Sequence, residues 1–240
     1  QKRVDLFISV SGFLKGVLHN KVRISTNKVS VLYNCVENCL VKEKEKPSKK
    51  QVFIELESIK KDAFIVGFAG RLIERKGWED FLRAAKITIE SNSSSRILFL
   101  IAGIGPDAQK VRCKIKELDL LKHVVCLGYV EEMSSFYSLT DCCIMTSRWE
   151  GLPLVQLEAM SYGVPLIMYN GPGMNEVTDG NIDSLYVSMG DIKGISDKIL
   201  LLKDDQHIRQ VIKQEAQNIV FEMNPDKYYA DLEALYHSVF

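Results

Sequence analysis

Short runs of β-branched and aliphatic residues recur along the chain, and a stretch of helical length with one apolar stripe follows most of them. Residues 4–10, 29–33, 63–69, 97–102, 124–127, 142–145, 165–168 and 184–187 are predicted strands. Most are apolar without alternation, which is the pattern of a strand covered on both faces. Between them, residues 78–90 space Trp78, Phe81, Leu82, Ala85 and Ile89 by threes and fours, so one helical stripe faces a sheet. Helices are also predicted over 108–121, 153–162 and 192–203. Strands alternating with helices predict an α/β domain built on a parallel sheet. Residues 225–239 open on a proline at a helix-start position and align Tyr228, Tyr229, Leu232, Leu235 and Tyr236 on one face, which something must cover.

The remaining segments refine this picture. Around residues 40–51 lies a run with no apolar residue from 42 to 50 and one proline, read as a solvated loop or linker. With 240 residues, about 1.6 domains of ordinary size fit. Apolar residues at 46% and charged residues at 26% exclude a disordered chain. Lys and Arg total 31 and Asp and Glu total 31, so no excess positive field exists to draw a nucleic acid, and that class of partner is set aside. The longest apolar runs fall far short of the ~20 residues that cross a bilayer. Residues 4–10 are interrupted by Asp5 and do not read as a signal peptide, and a chain opening on Gln1 reads as trimmed. Six cysteines without C-x-x-C spacing point to a reducing, cytoplasmic setting. Cys142 and Cys143, adjacent on a strand, are expected to pack on opposite faces. The four histidines lie apart, without the spacing of metal ligands, and read as surface residues. Trp149 is expected to pack, and Asp204–Asp205 to cap the helix that follows.

Three segments carry candidate chemistry. In Gly67-Phe68-Ala69-Gly70-Arg71-Leu72-Ile73-Glu74-Arg75-Lys76-Gly77 a strand ends in glycine, where open α/β sheets place ligands. Arg71 offers a planar fork and Lys76 a point charge, both suited to a departing diphosphate. Alone, the pair reads equally as solvated surface cations. Gly103-Ile104-Gly105-Pro106 also follows a strand; its glycines either close a tight turn or let a ligand approach the backbone. In the stretch from Ser147 to Pro165, Pro153 suits the first helical position, so the amides of Leu154 and Val155 would face an anion. Glu158 then lies little more than one turn into an otherwise apolar helix, placed to accept hydroxyls such as those of a ribose, or simply solvated.

Glu150 and Glu158 form an E-x7-E pair. With Gly70 to Gly77, Gly103 to Pro106, Leu127-Gly128-Tyr129-Val130, Glu176 and Asp179-Gly180 in that order, the chain resembles the family 4 glycosyltransferases over residues 63–221. These are retaining enzymes of the GT-B fold. The resemblance implies a Rossmann-like three-layer α/β/α domain, the second half of such an enzyme. Residues 1–27 would be a remnant of the N-terminal acceptor domain, 28–221 the nucleotide-sugar donor domain and 222–240 a helix crossing back to the missing domain. Cys35 stands where the family has glycine after asparagine, and residues 181–183 also depart from its pattern.

The same resemblance assigns roles. Arg71 and Lys76 would stabilise the leaving nucleoside diphosphate and Glu150 would hold donor-sugar hydroxyls. Glu158 would hold the ribose, with Tyr129 and Val130 bordering the base. Gly70, Gly103 and Gly105 would admit the donor, and the amides of Gly151, Leu152, Pro153, Leu154 and Val155, proline lacking one, would meet the phosphates. The implied substrates are a UDP-sugar with a hexose-type group and a glycan or lipid-linked acceptor, with no metal and no other cofactor. The setting implied is the cytoplasm or the inner face of a membrane, with peripheral contact through the missing domain. Two other readings stand beside it. One is a nucleotide-binding module inactive on its own; the other is a glycoside hydrolase or epimerase using Glu150 and Glu158, which leaves Arg71 and Lys76 unexplained. A dinucleotide oxidoreductase is the weakest, because no G-x-G-x-x-G is present.

Overall fold

The computed structural model describes residues 4–37, 63–92, 96–178 and 185–239. The solvated segment near 40–51, the 181–183 departure and Asp179-Gly180 lie outside the described residues. A two-stranded parallel pair comes first, β1 (Phe7–Ser9) with β2 (Val29–Val31), connected through helix α1 (Gly12–Asn20). The main sheet is formed by β3 (Phe64–Ala69), β4 (Ile97–Ala102), β5 (Val124–Gly128), β6 (Cys142–Met145), β7 (Leu166–Tyr169) and β8 (Tyr186–Val187). Its order is β5-β4-β3-β6-β7-β8, and every neighbouring pair is parallel. The helices are α2 (Trp78–Ser91), α3 (Ala108–Glu117), α4 (Met133–Leu139), α5 (Leu154–Ser161), α6 (Ile192–Asp204), α7 (Gln206–Phe221) and α8 (Pro225–His237).

The central strands are continuous apolar runs because both faces are covered. On one face Phe81 and Ala85 of α2 and Ile195 and Ile199 of α6 pack on Phe99 and Ile144. On the other, Phe136 of α4, Leu157 of α5 and Ala216 of α7 pack on Ile65, Leu100 and Cys143. The result is the three-layer Rossmann-like arrangement expected. Cys142 and Cys143 fall in different cores, as strand alternation requires. Across α2 and α6, the buried Thr88 hydroxyl donates to Ser196 Oγ at 3.0 Å.

Several expectations change. The strands predicted over 4–10 and 29–33 shorten to three residues each and pair with one another, not with the main sheet. The helix predicted over 108–121 ends at Glu117, because Leu118 leaves the helical region and Asp119 adopts φ 55°. Three helices had no predicted range, the third foreseen only through its cap at Asp204–Asp205. α1 and α4 are short, α4 with serines at three of its seven positions, and α7 has its apolar residues diluted by polar ones. Asp205 caps α7, accepting the Ile208 amide at 2.9 Å. Along α8 Tyr229 and Tyr236 are exposed.

No helix among the described residues is long and apolar enough to cross a membrane.

Candidate active site

From β3 the chain steps outward through β4 to β5, then returns to the other side of β3 as β6. The crevice at the carboxyl ends of β3 and β6 is therefore the switch point where such sheets bind ligands. Gly70 leaves β3, Gly103 leaves β4, and residues 146–153 leave β6. The first two turns lie on each other: the Leu72 amide donates to the Ile104 carbonyl at 2.9 Å, and a Cβ on Gly103 would fall on the Gly70 carbonyl oxygen. The second glycine turn thus owes its composition to this loop-on-loop contact, and it also lines the cleft.

That cleft has a volume of about 500 Å³. It brings together Gly70 and Arg71, Gly103 and Gly105, Tyr129 and Val130, and Val155 and Glu158 of the predicted residues. Arg71 is exposed and has no ion-pair partner among the described residues. Tyr129 stands 65% exposed at the rim. Lys76, Glu150, Gly151, Leu152, Pro153 and Leu154 are not part of this lining. Lys76 nevertheless borders it, since its stem passes about 3.9 Å from where a Gly70 Cβ would lie.

Lys76 belongs to a 3-10 turn (Glu74–Lys76) that Gly77 ends with φ 71°. A side chain at Gly77 would collide with the Thr146 carbonyl, so this turn and the loop after β6 are pressed together. Lys76 Nζ lies 2.6 Å from Glu150 Oε1, and Arg75 Nη1 lies 3.3 Å from Glu150 Oε2. Glu150 is only 7% exposed. Burial would raise its carboxyl, but hydrogen bonds from Lys76 and Ser147 and the charges of Lys76 and Arg75 outweigh it and hold the pKa below the ordinary 4.5. The Glu150 amide donates to Pro172 at 3.1 Å, fixing the backbone from a third loop.

Glu158 lies on α5. It is partly exposed and accepts the Tyr137 phenol at 2.8 Å. Burial first, and then the neighbouring Cys143 and Glu158, push the Tyr137 pKa far above 10, so it serves as a fixed donor. Its ring stacks on Tyr162 at 5.3 Å. Pro153, predicted as the first helical residue, instead occupies the cap position with ψ 125°, and the helix begins at Leu154. The Leu154 and Val155 amides remain in the first turn, where no intrahelical acceptor exists. The Leu152 side chain is buried in the core and its carbonyl accepts the Asn34 amide at 3.0 Å, which leaves only its N–H for a ligand.

Trp149, expected to pack, is 46% exposed, and Arg75, 4.4 Å from the ring centroid, covers one of its faces. Arg75, Tyr137, Asn34 and Glu176 are the residues that motif reading left without a role. Arg75 donates to the Trp149 carbonyl at 2.7 Å. Both oxygens of Glu176 accept amides of the first turn of α1, from Gly12 and Phe13, at 2.7 Å each. Among the described residues no group of three or more His, Cys, Asp and Glu is arranged to hold a metal ion.

Residues 49–219 match the model of the family described as glycosyl transferases group 1. Similar curated proteins include the UDP-Gal:alpha-D-GlcNAc-diphosphoundecaprenol alpha-1,3-galactosyltransferase of Escherichia coli, 26% identical over 92% of this chain and 57% of that protein. Another is the N-acetyl-alpha-D-glucosaminyl L-malate synthase of Bacillus anthracis, 26% identical over 98% of this chain and 60% of that protein. Among solved structures, Anabaena Alr3699/HepE in complex with UDP and glucose superposes with a TM-score of 0.84 at 18% identity, over 98% of this chain and 63% of that one. The chain thus spans about three fifths of the length of these relatives.

Proposed function

The chain belongs to the glycosyl transferases group 1, and on that premise we infer that it supplies the donor half of a retaining transferase of family 4 type. The donor is a nucleoside-diphosphate hexose with uridine as its base, and the acceptor is a glycan or lipid-linked sugar. The observation that carries this reading is the cleft itself. Arg71, Val155 of the first turn of α5, Glu158 and the Tyr129–Val130 rim line one cleft, and Lys76 borders it while paired with Glu150.

In this reading Arg71, Lys76 and the Leu154 and Val155 amides meet the diphosphate and stabilise the charge it gains as the anomeric C–O bond breaks. Glu150 accepts hydroxyls of the donor sugar, and Glu158 accepts those of the ribose. The acceptor oxygen attacks the anomeric carbon from the face the diphosphate leaves, and a phosphate oxygen takes its proton, so configuration is retained. No metal is required. On its own the chain binds donor without turning it over, because the acceptor wall lies in the part of its relatives that it does not span.

The hydrolase reading is disfavoured by Glu150. A general acid needs a raised pKa, whereas two cations hold this carboxyl ionised. Calorimetric titration with UDP, GDP and NAD, first without metal and then with Mg²⁺, tests the proposal. Metal-independent binding of UDP alone is the expected result, and binding of NAD in preference to either diphosphate would overturn it.

A further inference from the structure

The two cations on Glu150 are held very differently. Arg75 is fixed to the loop that carries Glu150: it donates to the Trp149 carbonyl at 2.7 Å, lies over the Trp149 ring at 4.4 Å, and accepts the Arg148 amide on its own carbonyl at 2.9 Å. Lys76 has no side-chain partner other than Glu150 among the described residues, and its stem runs along the cleft edge beside Gly70. An ammonium on a flexible stem can be redirected; a guanidinium with a carbonyl, a ring and a carboxylate on it cannot. If Lys76 turns to a diphosphate in the cleft, Glu150 loses its closer cation while still buried. A buried carboxylate with no partner takes up a proton or moves, and in either case stops accepting sugar hydroxyls.

We propose that Arg75 is a positioning residue that keeps Glu150 charged and in place while Lys76 transfers its ammonium from that carboxylate to the donor diphosphate. The inference rests on the donor-site reading above. The charged groups facing Glu150 are Lys76 and Arg75, both from the turn after β3. Ser147 of its own loop adds a hydrogen bond, and the loop after β7 presents the Pro172 carbonyl and the Gly173 backbone. Arg75 is thus the one cation left to Glu150 among the described residues once Lys76 departs.

The test is calorimetric binding of UDP-glucose near pH 6 in two buffers of different ionisation enthalpy, which gives protons taken up on binding. The parent chain is expected to take up none. Arg75→Met should bind about tenfold more weakly and take up ~0.5 proton, with its deficit shrinking as pH falls. Arg75→Lys should return uptake toward zero, and adding Glu150→Gln to Arg75→Met should abolish uptake. Circular dichroism and the emission of buried Trp78 verify that each variant is folded. Parent-like affinity in Arg75→Met, or weaker binding without proton uptake, would overturn the inference while leaving the donor site standing. A parent that binds neither UDP nor UDP-glucose would overturn the donor site and this inference with it.

Discussion

Glu150 and Glu158 stand eight positions apart in one strand–loop–helix unit, yet they live in different solvents. The first is buried, with a cation on each oxygen. The second is partly exposed and has one phenol. A buried carboxylate must be paired, and Glu150 keeps its charge through Lys76 and Arg75 from a turn distant in sequence, with a hydrogen bond from Ser147 of its own loop. The spacing of the two glutamates in sequence says nothing of this difference. The supporting residues do.

Removing the supports separates the two sites most sharply. Lys76→Met should lower unfolding free energy by about 2 kcal/mol in urea denaturation, below the usual loss for a broken buried pair because Arg75 remains. An unchanged midpoint would show that Glu150 does not depend on its cation. Glu158→Ala should weaken UDP binding by about tenfold in calorimetry with little change in melting temperature, one hydrogen bond to a charged group being worth about 1.5 kcal/mol. Parent affinity would remove Glu158 from the ribose site. Tyr137→Phe should cost about 1 kcal/mol of stability, since water can replace the phenol on Glu158. A loss comparable with that of Lys76→Met would erase the distinction between the two carboxylates.

The smallest effect is the dependence on acidity. The folded pKa of Glu150 lies below 4.5, so its contribution is fully present above that pH and is lost as pH falls from 4.5 through the folded value. Urea midpoints measured between about pH 6 and 3 for parent and Glu150→Gln should converge only in that acidic window. A constant gap would mean that the carboxyl is not held ionised by its neighbours.

The central sheet was legible because two-sided burial writes itself as unbroken apolar runs: Ile97–Ala102 is a strand over the very residues predicted, all six buried. Helix α2 was legible because its stripe is regular. That β1 pairs with β2 and not with the main sheet could not be read from either strand, because a pairing partner leaves no mark on a single strand. Arg71, Lys76 and both glutamates could be named from motif order. Arg75 could not, since its direction is set by the turn that Gly77 ends and by a tryptophan in a loop after β6. Tyr137 reaches Glu158 from α4, a helix too short and serine-rich to announce itself.

The position of β6 beside β3 has a kinetic corollary. Strands β3, β4 and β5 form one consecutive set and β6, β7 and β8 another, and the two sets meet where Val66 and Gly67 pair with Cys142 and Cys143. Closing so long a stretch of chain is entropically dear and slow compared with zipping neighbours within a set. The cleft is therefore the seam along which the halves come together, with Gly70 and Arg71 on one side and Val155 and Glu158 on the other. Any molecule lodged across it acts as a staple, so occupancy should lengthen the life of the folded chain, and the protein's turnover in a cell would follow the supply of whatever it binds.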